Sequence, residues 1–126
     1  MEKILKSGKW LFVFSFSFYV ILHLFLAKVG VERYVPKYLP FPYFINYFTG
    51  ICILAFIVSC CVGRYDKLAA FLLAIYLVLV IIFIHLPKAA EPMELLNVFR
   101  ITNMVGAALM YALAFAKDKR MFFKGN

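Results

Sequence analysis

Arg100 stands alone in an otherwise uncharged stretch of 22 residues, Leu95–Ala116, with Asn97 and Asn103 three residues to either side. A guanidinium stays charged and carries five hydrogen-bond donors, so in an apolar segment it needs an acceptor, an anion or the polar edge of a bilayer. Three other apolar segments each carry one polar side chain near one end: His23, Asn46 and His85. Counted inward along helices at 1.5 Å per residue, these four groups lie within roughly 3–8 Å of the same boundary. Ser15, Tyr19 and His23 recur at four-residue spacing, and Asn97, Arg100 and Asn103 at three, so each set shares one helical face. Polar side chains in a bilayer face the bundle interior or a wet cavity and often mark function. We therefore take His23, Asn46, His85, Arg100 and Asn103 as a candidate ligand-binding layer. The competing reading is that they only hydrogen-bond headgroups and water.

Catalytic chemistry finds little to work with. Cys52, Cys60 and Cys61 all fall in one apolar run and lack the C-x-x-C spacing of thiol exchange, so they read as small hydrophobes. A phosphate-binding loop, an H-E-x-x-H helix or a Ser-His-Asp set cannot be placed. With only two histidines, and the cysteines at the opposite depth, no metal site is expected. The chain reads as a protein without catalysis or cofactor of its own.

The elements that must position these residues follow from composition. Of the 126 residues, 66% are hydrophobic and 16% charged, far from the roughly 45–50% and 25% of soluble domains. Charge-free runs cover Trp10–Ala27, Tyr38–Gly63 and Leu68–Pro87, of 18, 26 and 20 residues. Each approaches or exceeds the roughly 20 residues that cross about 30 Å of hydrocarbon. With Leu95–Ala116 they predict an all-α, integral-membrane four-helix bundle in one domain, with spans at about 10–28, 42–63, 68–87 and 95–116. The fourth is the weakest, because a central Arg costs roughly 2.5–3.5 kcal/mol to insert; its place near one end lets it snorkel.

The first span is expected to stay, because Phe25 stands where a signal-peptide cleavage site needs a small residue. Nine cations (Lys3, Lys6, Lys9, Arg64, Lys67, Lys117, Lys119, Arg120, Lys124) fall on one side and five (Lys28, Arg33, Lys37, Lys88, Arg100) on the other. That bias predicts cytoplasmic N- and C-termini in a multi-pass cell-membrane protein. The net charge of +8 then reflects topology and attraction to anionic lipid; scattered over both faces, it forms no stripe for nucleic acid. Gly63–Lys67 allows only a tight turn, which makes the second and third helices antiparallel neighbours. Residues 29–41 hold prolines 36 and 40 among aromatics and predict an irregular cap at the membrane surface, with Pro42 in the first turn of the next helix. Ala108, Ala112 and Ala116, at four-residue spacing, read as a packing seam, as do Ser59 and Gly63.

His23–Leu24 in V-I-L-H-L-F, the segment V-P-K-Y-L-P-F-P from Val35 to Pro42, then Tyr47, Thr49 and Gly50, and Ala69–Ala70 after the basic turn resemble the DoxX-like family of small four-span membrane proteins. The resemblance covers about Phe18 to His85; Val20 and Ile53 stand where the family usually carries Gly and Glu. It implies an accessory or scaffold protein that binds partner membrane proteins, a further copy of itself or a small lipophilic ligand. The alternative it implies is a subunit of a quinone-linked oxidoreductase or oxidative-stress complex, with quinone near His23 and Arg100.

Overall fold

Most of each apolar run is helical, which satisfies its backbone groups within the segment as hydrocarbon requires. The computed structural model describes residues 1–120 and is all-helical, with no strand among them. Lys124, counted with the tail cations, lies outside the described residues. Four helices are long and apolar enough to cross a membrane: Glu2–Leu24, Pro42–Val62, Asp66–Lys88 and Pro92–Phe115.

The first is two pieces, α1 (Glu2–Ser15) and α2 (Ser17–Leu24), joined at Phe16, whose N–H reaches back only to the Val13 carbonyl. The span ends at Leu24 rather than Lys28, because α3 (Ala27–Tyr34) forms a separate short helix. Much of the stretch expected to be irregular is therefore helical. The reason is the position of the prolines, all of which lie beyond Tyr34; the irregular path is confined to residues 35–41. α4 (Pro42–Val62) carries Pro in its first turn and closes on Gly63, whose φ of 71° suits a residue without Cβ. α5 (Asp66–Val80) continues through a π-helical turn, Ile81–His85, and a short 3₁₀ turn, Leu86–Lys88. α6 (Pro92–Met110) likewise ends in a π-helical turn, Tyr111–Phe115.

The broadest packing is α2 on α4 and α5 on α6, with α4 and α5 antiparallel across the Gly63 turn. The alanine seam lies inside: Ala108, Ala112 and Ala116 are all buried. Side chains pack densely in the half nearer Asp66, where Val13, Phe16, Cys60 and Ala70 are almost fully enclosed. Phe56 sits at the centre of an aromatic cluster, edge-on to Phe16 at 5.6 Å, Phe12 at 6.0 Å and Tyr111 at 6.4 Å. Edge-to-face pairs of this kind add about 0.5–1.5 kcal/mol beyond area burial.

That end is closed by a reciprocal clamp. Asp66 has no exposed surface, and its carboxylate accepts from the Lys117 N–H and Asp118 N–H, both at 2.8 Å, and from the Tyr111 O–H at 3.1 Å. As the first residue of α5 it also lies where the helix dipole favours negative charge. Asp118 in turn accepts the Tyr65 N–H at 2.8 Å and pairs with Arg120, whose guanidinium lies 4.5 Å from the Tyr65 ring centre. Tyr65 has a φ of 55°, a left-handed conformation that a bulky residue adopts at a cost of about 1–3 kcal/mol, and the tail contacts hold it there.

Candidate functional site

The half of the bundle nearer His85 is hollow. A cavity of about 560 Å³ opens between α2, α4, α5 and α6, with Val35, Pro36 and Leu39 of the connecting cap along one side. Its lining is mainly aliphatic and aromatic, and the polar side chains in it are few. That volume and composition match sites for small apolar ligands, which run from about 300 to 1,000 Å³.

His23 and Asn46 form the fixed part of the polar wall. The Asn46 Nδ2–H donates to the His23 carbonyl at 2.7 Å, which sets the amide so that Oδ1 faces the ring. Oδ1 then accepts from the His23 Nδ1–H, also at 2.7 Å. An amide oxygen cannot donate, so the neutral imidazole carries its proton on Nδ1 and presents Nε2 as an acceptor. Nε2 has no partner among the described residues, and His23 lines the cavity.

Two glycines make this pairing fit. A Cβ on Gly50 would stand 2.9 Å from the His23 Cβ and 2.7 Å from the Leu24 Cδ2, so α2 and α4 approach only because that side chain is missing. A Cβ on Gly30 of α3 would meet Asn46 Oδ1 at 2.6 Å. Gly30→Ala should gain about 0.5–1 kcal/mol of helix propensity. The clash with a doubly bonded, buried amide should cost more, about 1–3 kcal/mol. The expected net result is a lower melting temperature in detergent; an unchanged or raised value would mean that Asn46 is not held.

His85 reaches the opposite wall. Its Nδ1 lies 2.6 Å from Glu94 Oε2, joining the end of the third span to the first turn of α6. Arg100 and Asn97 extend from α6 into the same lining, while Thr49 and Tyr76 add hydroxyls deeper in. Arg100 is exposed and makes no hydrogen bond or ion pair among the described residues.

Compared with family models, curated proteins and solved structures, the chain matches none.

Of the five residues in the candidate layer, His23, Asn46, His85 and Arg100 line one cavity, and Asn103 does not. Asn103 is exposed. Three-residue spacing falls 60° short of a full turn at each step, so Asn103 lies about 120° around α6 from Asn97. Ser15 also lies outside the lining: the break at Phe16 separates it from Tyr19, and its hydroxyl donates to the Phe12 carbonyl. Glu94 is not among those five and emerges as the partner of His85. A carboxylate nine residues from a membrane-end histidine, across two prolines that force a return, was the available signal. Of the cysteines, Cys60 is buried and Cys52 and Cys61 are exposed. Among the described residues no group of three or more His, Cys, Asp or Glu is placed to hold a metal ion.

Proposed function

We propose that this chain is a multi-pass membrane protein of the DoxX-like kind, with both termini in the cytoplasm, that binds a small lipophilic ligand inside the bundle without catalysing its conversion. One observation carries the reading: the apolar cavity contains a histidine whose tautomer is fixed by Asn46, leaving a single acceptor, Nε2, toward the space. Keeping a polar pair in an apolar wall is expensive unless it is satisfied, and here one atom is left for something else to satisfy. A scaffold role toward partner membrane proteins draws on the family resemblance alone, and so does a redox subunit.

The test uses a long-chain alkanol bearing a diazirine photolabel, applied to the protein in nanodiscs. Labelling should concentrate on cavity residues such as Ile53, Leu77 and Met104, and excess unlabelled alkanol should suppress it. Met104→Trp, which fills the space, should abolish the saturable part. Labelling spread over the lipid-facing surfaces with no saturable component would defeat the proposal. Matching inside and outside reporters fused to the two ends would test the topology; reporters on opposite faces would overturn it.

A further inference from the structure

A second, polar recess of about 370 Å³ adjoins the apolar cavity and shares Tyr34, Ile84, His85 and Asn97 with it. Arg33 of α3 and Lys88 at the end of the third span line this recess, and Arg100 lines the cavity beside it. None of the three side chains makes an ion pair or hydrogen bond among the described residues. Glu94 is the one acid in either lining, and it is already bound to His85. The mouth is thus a basic pocket with an excess of cations, opening onto an apolar space. From His85 to Leu77 that space runs for eight residues of the third span, about 12 Å.

We infer that the ligand is an amphiphile with an anionic head: the head lies in the recess among Arg33, Lys88 and Arg100, and the tail fills the apolar cavity toward Leu77. This rests on the reading of the cavity as a lipophilic-ligand site and adds the charge of the ligand's head. Unpaired cations beside low-dielectric walls concentrate an anion more strongly than the same charges in open water. Asn97, which lines both spaces, bonds Glu94 at the junction, and the His23 Nε2 is left for a hydroxyl or a protonated oxygen on the ligand.

Three probes with one tail and different heads separate the possibilities: dodecyl phosphate, dodecanol and dodecyltrimethylammonium, each titrated into the protein in phosphatidylcholine nanodiscs with empty nanodiscs as the blank. Dodecyl phosphate should bind saturably and roughly tenfold or more tighter than dodecanol, a difference of about 1.4 kcal/mol per tenfold. The ammonium probe should not bind. Arg100→Gln, which removes no contact that the fold uses, should cut the preference for dodecyl phosphate over dodecanol several-fold, and Arg100→Lys should keep it. The double variant Arg33→Gln/Lys88→Gln should weaken the phosphate probe in the same direction and leave dodecanol unchanged. Equal, saturable binding of phosphate and alcohol probes would overturn the charged-head inference and leave the lipophilic site standing. Absence of saturable binding by any probe would remove both. Repeating the titration in nanodiscs enriched in phosphatidylglycerol identifies the source: competition points to a bilayer lipid and its absence to a single-chain amphiphile, and both outcomes support an anionic head.

Discussion

Asp66→Leu is expected to lower the stability of the bundle by about 3–5 kcal/mol, measured as the shift in reversible unfolding in mixed micelles. Leucine is larger than aspartate, so no cavity forms, and overpacking at this enclosed site adds to the loss. What disappears is one acceptor serving three donors, two of them backbone N–H groups that close the last helix against the start of α5. Each buried donor left unpaired costs about 1–3 kcal/mol, and because two of the three bonds are only part-buried the total stays in the lower half of their sum. Asp66→Asn, which keeps one carbonyl oxygen, should lose about half as much. A loss below about 1 kcal/mol for the leucine variant would show that water takes over the three donors.

The same clamp adds an acid-sensitive component. Arg120 foremost, together with the Tyr65 N–H, holds the Asp118 carboxyl well below the usual carboxylate range. A group whose folded pKa is depressed contributes stability above its unfolded value, about 3.9, and loses it as pH falls through the folded value. The contribution of Asp118 is therefore complete at neutral pH and fades only in strong acid.

Asn46→Leu should act on binding more than on folding. Interhelical side-chain hydrogen bonds in membrane proteins average about 0.6 kcal/mol and reach about 1.7. Losing two of them, with a His23 N–H and carbonyl left unpaired, predicts a destabilisation of about 2 kcal/mol. The larger consequence is that the imidazole no longer has one enforced tautomer. Nitrogen-15 shifts of His23 should report a single Nδ1–H form in the native protein and a mixture in the variant. Affinity for a cavity ligand that donates to Nε2 should fall roughly tenfold, the equivalent of one hydrogen bond. One tautomer in both proteins, with unaltered affinity, would show that Asn46 does not orient the ring.

What the sequence made legible was depth. Transfer of apolar side chains out of water is additive along the chain, so the four long helices could be found by length, and polar residues could be counted inward from their ends. His23, Asn46, His85 and Arg100 were recoverable on that basis. Azimuth was not, because it depends on local departures from 3.6 residues per turn. The break at Phe16 and the π-helical turn at Ile81–His85 change which residues face inward, and neither follows from hydropathy. Asn103 fell outside on ordinary helix geometry, two three-residue steps carrying it about 120° around α6 from Asn97. Asp66 was hidden differently: between Arg64 and Lys67 it reads as one more charge in a solvated turn. Its burial depends on a tail some fifty residues later folding back to supply donors.

The wide turn at Ile81–His85 has an implication for how this chain tolerates change. Bonds reaching five residues back instead of four accommodate one residue beyond what an ordinary α-helical turn would hold. Deleting any one of residues 81–84 would leave the span long enough and oily enough to cross, with every hydropathy profile nearly unchanged. The turn would close as ordinary α-helix and keep His85 near its present azimuth above Leu77, whereas the same deletion between Glu94 and Arg100, in the regular helix α6, would rotate those two by about 100° relative to each other. The third span thus carries one spare residue at the opening, and the fourth, where it faces that opening, carries none.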